Sequence, residues 1–347
     1  MPSFEALAAY AERLLAAAGL DGDKPAVTAR LLVTADAMGH TTHGLAQLPD
    51  YLEDIEAGGM TMTGEPDVLA DKAAAVVWDG RRLPGVWLTD KAVRLAADRA
   101  QSTGICAVTI RRSHHIACLA TFLPAATEQG LMVIVASSDP SDAHVAPFGG
   151  TRAVFTPDPL AVGIPTERDP ILIDISASIT TAGMSARLRR EGGTFPGAWA
   201  LDADGRPSRD PHVLVGDRKG TLLPTGGVDH GHKGYGLALM VEALTQGLSG
   251  YGRADTETGW GASVFVQVFD PALFGGAAAF TRQTEWIAQA CRTNPPADPS
   301  RPVRLPGGAA MRGLRDAQVR GLTPRPGLLE ALEPWAARFG IVPLRIE

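Results

Sequence analysis

The chain has 347 residues, 45% of them hydrophobic and 20% charged, with a formal net charge of −6. This is enough apolar material for a sizeable core and for two or three domains. The acidic balance carries no electrostatic footprint for nucleic acid, and no run of like charge is long enough to act as an interaction tail.

Helical signals come first. Phe4, Leu7, Leu14 and Leu15 recur at helical spacing behind Ser3, a good N-cap, and Gly19 to Asp23 ends the pattern. A second amphipathic helix is expected from Lys24 to His40. A third runs from Leu48 to Glu56, with Pro49 tolerated in its first turn and Gly58-Gly59 closing it. Ala73 to Trp78 reads as a strand closed by Asp79-Gly80, Leu88 to Ser102 as a helix, and Ile105 to Ile110 as a buried strand. That strand runs into the polar cluster Arg111 to His115. Ala117 to Glu128 reads as a helix and Leu131 to Ala136 as a strand. Short strands are expected at Val154, at Ile164 and over Ile171 to Ile175. Beyond Pro224 a glycine-rich loop leads into a helix from Tyr235 to Leu248. Ser263 to Phe269 follows as a strand and Gln283 to Arg292 as a helix. A proline-rich segment over residues 295–302 and helices at Ala309 to Arg320 and Leu328 to Phe339 complete the chain. No repeat of solenoid period occurs.

The start, Met1-Pro2-Ser3-Phe4-Glu5, lacks a basic segment followed by an apolar one, and no apolar run reaches the ~18 residues that span a bilayer. Cys106, Cys118 and Cys291 are odd in number and scattered, which fits neither a disulfide framework nor a metal-ligand spacing. The expectation is a cytoplasmic protein with a small-molecule substrate and neither nucleic-acid nor membrane partners.

Several motifs carry chemistry. No G-x-G-x-x-G follows a strand, so the usual dinucleotide fingerprint is absent. The nearest equivalent is Gly231-His232-Lys233-Gly234-Tyr235-Gly236 at the head of an apolar helix. It suits either an anion held by helical N–H groups or a ligand-free helix start, and spacing alone does not separate the two. His40-x-x-His43 puts two imidazoles within a helical turn, but Thr41, Thr42 and Gly44 are poor further ligands, so no metal is expected. Ser113, His115 and Asp139 lack the G-x-S-x-G elbow of a nucleophilic triad. His115, at the end of a strand, suits proton exchange with a carbonyl or hydroxyl oxygen, the competing reading being a polar-loop histidine.

From Gly39-His40-Thr41-Thr42-His43-Gly44 and Leu48-Pro49-Asp50-Tyr51-Leu52 onward, the chain resembles the malate/L-lactate dehydrogenase family, distinct from the Rossmann-type enzymes of similar name. The likeness continues through Ser113-His114-His115, Val145-Ala146-Pro147-Phe148-Gly149-Gly150, Asp158-Pro159-Leu160-Ala161, Asp174-Ile175-Ser176-Ala177-Ser178 and Trp199-Ala200-Leu201-Asp202. Its last clear block is His232-Lys233-Gly234-Tyr235-Gly236 through Glu242. The resemblance implies an α/β protein with a non-Rossmann nicotinamide-binding fold. A mainly antiparallel central sheet is joined by a helical domain formed from the N- and C-terminal segments. The implied division is an N-terminal, substrate-side domain over 1–115, an NAD(P)-binding domain over 116–275, and a C-terminal helical segment over 276–347 packing back on the first. It also implies a homodimer and an NAD(P)-dependent dehydrogenase or reductase using NADP or NAD, and the charge of Lys233 favours NADPH. By position, His43 and His115 match active-site histidines, and Thr42, Gln47 and Tyr51 lie where substrate is bound. Cofactor contacts fall on His115, Ile116, Ala117, Cys118 and Leu119, on Asp174, Ser176, Ala177 and Ser178, and on His232, Lys233 and Gly234.

Departures from the family pattern collect on these positions. Gln47 stands where an arginine usually holds the substrate carboxylate, Thr42 replaces a serine, Met184 a lysine and Asp158 an asparagine. Near the C-terminus, Pro306-Gly307-Gly308 stands for Pro-Gly-Glu. A glutamine cannot make the bidentate, charge-assisted pair of a guanidinium. The expected substrate is therefore a 2-oxo or 2-hydroxy acid-like carbonyl compound with an altered polar group. Two alternatives are a cyclic imine reductase and a cofactor-binding protein without turnover. Arg187, Arg189 and Arg190 are candidates for an adenosine phosphate or for a solvated basic face.

Overall fold

The computed structural model describes residues 1–255 and 261–345. In chain order it contains α1 (Phe4–Ala17), α2 (Lys24–Ala37), α3 (Leu48–Glu56), β1 (Asp67–Lys72), β2 (Ala75–Asp79), α4 (Gly85–Thr103), β3 (Ile105–Ser113), α5 (Pro124–Thr127), β4 (Met132–Ser138), β5 (Pro159–Ile164), β6 (Ile171–Ser176) and α6 (Ala182–Arg190). These are followed by β7 (Ala200–Leu201), β8 (Pro207–Ser208), β9 (Thr221–Leu222), α7 (Gly227–His230), α8 (His232–Glu242), β10 (Ala262–Phe269), α9 (Ala277–Arg292), α10 (Gly308–Arg320) and α11 (Leu328–Phe339).

Seven strands form one sheet in the order β1-β2-β3-β10-β4-β5-β6. Only the β2–β3 pair is parallel; every other neighbour pair in it is antiparallel. The fold is thus the mainly antiparallel α/β arrangement expected from the sequence, and no doubly wound parallel sheet occurs among the described residues. A small second sheet joins β8, β7 and β9.

The central strands are covered on both faces, and side-chain alternation assigns each residue to a layer. Cys106, Val108 and Ile110 of β3, Val133 and Val135 of β4, and Val264, Val266 and Val268 of β10 enter the main core. That core is shared with α1, α2, α3 and α4 and is closed by α10 and α11 through Ala317, Leu328, Leu332 and Ala336. The intervening Ala107, Ala136 and Phe265 turn to the other face, against Val241 of α8 and Leu244 just beyond it. Ion pairs from Arg338 to Glu56 (2.6 Å) and from Arg315 to Asp169 (2.7 Å) pin the C-terminal helices at the surface.

Local departures from the sequence expectation have local causes. The second helix stops at Ala37, because Gly39 adopts φ +91 and turns the chain. The stretch from Ala117 to Glu128 is not one helix. Ala117 has φ +58, Leu119–Phe122 form a 3-10 turn, and Pro124 begins the four-residue α5. No strand forms at Val154, whose neighbour Phe155 makes a single bridge to Val145. The helix expected from Tyr235 starts at His232 and passes into a π turn over Ala243–Gly247. The strand before Ser113, the helix after Pro84 and the helix ending at Arg292 are longer than the periodicity indicated.

One contact fixes how the sheet meets the helices. Gly85 opens α4 directly against the chain leaving β3, and a Cβ there would fall 2.0 Å from the His114 carbonyl oxygen and 2.6 Å from that of His115. Ordinary helix propensity makes Gly→Ala favourable by up to ~1 kcal/mol. The overlap reverses that sign. Gly85→Ala is expected to destabilise the protein by about 1–3 kcal/mol, the usual cost of overpacking; denaturant unfolding that finds it stabilised would contradict this packing.

Candidate active site

The turn between α2 and α3 presents the first group of site residues. Asp36 is 8% exposed and accepts the Leu45 backbone N–H at 3.2 Å. Burial pushes its carboxyl up to about 7. Gly44 lies against it, since a Cβ there would fall 2.0 Å from Asp36 Oδ1. The glycine of the His43-Gly44 pair is therefore required by close approach. The turn carries Thr42 and His43 side by side, with Thr42 Oγ1 2.9 Å from His43 Nδ1. Gln47 Nε2 donates to the Thr42 carbonyl at 2.8 Å, bracing the same turn.

The second group comes from α3 and the end of β3. Tyr51 is 2% exposed, and its hydroxyl lies 2.9 Å from His115 Nδ1 and 3.3 Å from the His115 carbonyl oxygen. This geometry serves both neutral tautomers of the imidazole. A Tyr51 O–H donated to Nδ1 goes with a proton on Nε2; an Nδ1–H donated to the Tyr51 oxygen leaves Nε2 as an acceptor while the hydroxyl turns to the carbonyl. The paired histidines diverge. His114 is fully buried, with Nε2 3.2 Å from Asp54 Oδ2 and its ring edge-on to Tyr51 at 5.3 Å. His115 faces His43, their ring centroids 6.0 Å apart.

Electrostatics favour neutral rings here. Burial, reinforced by His43 and His114, lowers the His115 pKa to about 3. Burial also lowers His43, against the opposing pull of Asp174. Because the folded value lies below the unfolded one, His115 contributes stability at neutral pH that is lost as pH falls from about 6.5 toward 3. The Tyr51 hydroxyl is raised by burial and stays protonated.

A third group lines the way out of this cluster. Cys118 and Leu119 are buried, and Asp174 Oδ2 accepts the Ala120 N–H at 2.9 Å and lies 3.7 Å from Cys118 Sγ. His40, Cys118 and Asp174 bring donor atoms within 4.8 Å of one another. Further along, Ser176 Oγ and Ser178 Oγ are 3.2 Å apart, and the Thr225 hydroxyl donates to the Ser176 and Ser178 carbonyls. A Cβ on Gly234 would fall 2.3 Å from Thr225 N and 2.6 Å from the Ala177 carbonyl, so α8 abuts this loop at backbone distance. The Gly234 N–H is bonded to the Thr225 carbonyl and that of Tyr235 to Gly231, and α7 leads directly into α8. The glycine-rich motif is therefore not an open helix N-terminus with all its amides available. His232 and Lys233 are exposed beside it. Closeness of bare backbone, serine and threonine hydroxyls and an exposed lysine fits a cofactor carrying phosphate groups. On the other side, Gly183 approaches Thr42, a Cβ there lying 4.0 Å from Thr42 Cβ, and the next residue, Met184, is 38% exposed.

The structure thus gathers Thr42, His43, Gln47, Tyr51 and His115 at one place, with Cys118 and Asp174 on its flank. The Ser176–Ser178, Thr225 and Gly234 loops form a neighbouring group. Ser113 donates to the His114 carbonyl and Asp139 accepts from Ser141, so neither is set up as part of a triad with His115. Residues not anticipated from sequence are Asp36, Gly85 and Thr225. The clue to Gly85 is Pro84-Gly85 at a helix start, whereas nothing local marks Thr225.

This arrangement on a mainly antiparallel sheet belongs to an NAD(P)-dependent oxidoreductase. The chain is a member of the malate/L-lactate dehydrogenase family, whose profile matches residues 3–333. It is 30% identical over 304 residues to an L-lactate dehydrogenase of Cupriavidus necator, with 86% of each chain covered. It is 31% identical over 337 residues to a (2R)-3-sulfolactate dehydrogenase (NADP(+)) of Chromohalobacter salexigens, covering 93% of this chain and 94% of that one. Among solved structures it superposes on a delta1-piperideine-2-carboxylate reductase of Pseudomonas syringae with a TM-score of 0.84 at 28% identity, over 96% and 99% of the two chains. Among the described residues, no helix is long and apolar enough to cross a membrane.

Tyr51→Phe keeps the ring packed on His114 but removes the hydroxyl from His115. The loss of one buried hydrogen bond to His115 corresponds to about 1–3 kcal/mol, so kcat is expected to fall about 10–100-fold with cofactor affinity little changed. Steady-state kinetics alongside fluorescence titration of NADPH and NADH would check it, and an unchanged kcat would contradict the assignment.

Proposed function

We propose that this enzyme transfers a hydride between a nicotinamide cofactor and a 2-oxo or 2-hydroxy acid-like compound whose carboxylate is masked, neutral or differently placed. NAD(P), when bound, supplies or accepts the hydride. His115 exchanges the proton with the substrate oxygen, and Tyr51 accommodates either tautomer. A neutral His115 is ready to act as base in the oxidation direction. For reduction it must first be protonated, a step that the burial of the ring opposes. His43 and Thr42 orient the substrate.

The observation that carries the substrate reading is the orientation of Gln47. Its amide donates to the Thr42 carbonyl at 2.8 Å, so it braces the turn rather than offering a cation to the pocket. Met184, on the same side, is neutral as well. A free carboxylate desolvated against this wall lacks the charge-assisted pair that would offset the cost of burying it. A cyclic imine substrate is the second reading, supported by the reductase among the structural relatives. Hydride addition to C=N or C=O asks the same of His115.

The cofactor reading favours NADPH. It is supported by exposed Lys233 and by Arg187, Arg189 and Arg190 near the end of α6, although Arg187 also pairs with Glu191 at 2.8 Å. A homodimer is supported by exposed apolar side chains on α8 (Leu239, Met240) and α9 (Trp286, Ile287).

The test follows nicotinamide absorbance over 2-oxo acids, cyclic imino acids and the corresponding amides and esters. Amides or esters are expected to outperform the free acids, and Gln47→Arg is expected to lower KM for free acids about tenfold or more, the scale of one charge-assisted contact. Strong preference for a free 2-oxo acid, unaffected by substitution of Gln47, would defeat the proposal.

A further inference from the structure

We infer that His40, Cys118 and Asp174 form a binding site for one zinc-class divalent ion on the flank of the active site. The local sequence around His40-x-x-His43 offers no third ligand, but the fold supplies two. His40 comes from the turn after α2, Cys118 from the segment after β3, and Asp174 from β6. One imidazole nitrogen, one sulfur and one carboxylate oxygen lie within 4.8 Å of one another.

The geometry is close to that of a bound ion. Zinc–ligand bonds of ~2.0–2.3 Å at tetrahedral angles place donor atoms roughly 3.3–3.8 Å apart. The Cys118 Sγ to Asp174 Oδ2 separation is 3.7 Å, so one edge already has that length. The remaining edges need to contract by at most about 1.0–1.5 Å, within the reach of side-chain rotation. Asp174 Oδ2, the oxygen 3.7 Å from Cys118 Sγ, also accepts the Ala120 N–H at 2.9 Å, a contact that fixes the orientation of the carboxylate.

Donor chemistry and charge select the ion. An imidazole, thiolate and carboxylate set suits zinc or cobalt(II), whereas magnesium and calcium require mostly oxygen. On binding, the Cys118 S–H bond breaks, a sulfur–metal bond forms, and the proton leaves to solvent. The thiolate and Asp174 together carry two negative charges, which cancel those of the ion. A neutral centre is what a largely buried location tolerates. Cys118 is 4% exposed while His40 and Asp174 are half-buried, so an ion can reach the site. Three protein ligands leave a fourth position for water or a substrate oxygen.

The experiment uses the full chain, stripped with chelator and titrated with cobalt(II). The expected result is saturable binding of one ion per chain, with a thiolate-to-cobalt band in the near ultraviolet, visible bands of a tetrahedral centre, and displacement by zinc. Cys118→Ser is expected to abolish the thiolate band, and His40→Ala to weaken binding at least tenfold. If Cys118→Ser fails to fold, His40→Ala at its half-buried position decides the matter. Absence of saturable binding, a spectrum without the thiolate band, or equal affinity in the His40→Ala variant would overturn the site. None of these readouts depends on turnover, so the result is independent of the substrate proposal.

Discussion

The hydrogen bond between the Tyr51 hydroxyl and His115 Nδ1 joins two parts of the molecule that have little else in common. Tyr51 belongs to a short helix whose position is set by the α2–α3 turn. His115 lies just beyond the end of β3, a strand held between β2 and β10 at the centre of the sheet. The contact is possible because α4 begins at a residue without a side chain. Gly85 lets the His114 and His115 carbonyls press against the start of that helix. With the backbone fixed from one side and the imidazole from the other, the ring of His115 has one orientation, a prerequisite for directional proton transfer. Burial keeps the same ring neutral, so its position and its charge state have a common cause.

The two halves of the site differ in how far they keep the family pattern. The Tyr51–His115 pair, proposed for proton transfer, is held by its hydrogen bond. In the second half, Thr42 and Gln47 offer hydroxyl and amide groups, and Gln47 is turned toward its own turn. The proposed change of substrate rests on this second half, and the proposed proton transfer on the first. Asp158 follows the same tendency in a quieter place. It is fully buried, accepts from Thr156 at 2.7 Å, and burial with Glu242 nearby pushes it up to about 8. A carboxyl that burial favours in its uncharged form is thereby held at this position.

Much of the fold was legible from periodicity because the central strands are covered on both faces. Ile105–Ile110 and Val264–Phe269 read as apolar runs, interrupted by Thr109 in the first and Gln267 in the second, for that reason. The helix Leu48–Glu56 was legible to the residue, since Pro49 and Gly58-Gly59 mark its ends. Other features left no such trace. β1, Asp67–Lys72, is an edge strand with exposed side chains and hence no apolar alternation. The break at Ala117 depends on a positive φ that an alanine does not advertise. In the site, the family motifs pointed to His43, Tyr51 and His115, and the structure brings all three together. Spacing along the chain could not anticipate Asp174 meeting His40 and Cys118, because that contact arises from tertiary packing alone. The same limit applies to Thr225, which reaches the Ser176–Ser178 loop from 47 to 49 residues away.

Tyr51 holds His115 as a neutral, oriented imidazole, a state that nitrogen-15 NMR of the histidine side chains reads out once His115 is assigned by substitution. His115 is expected to stay neutral from pH 8 down to at least pH 5, with Nδ1 shifted by its hydrogen bond and that shift lost in Tyr51→Phe. An imidazole that titrates near the ordinary value of about 6.5, with a shift indifferent to Tyr51, would contradict it.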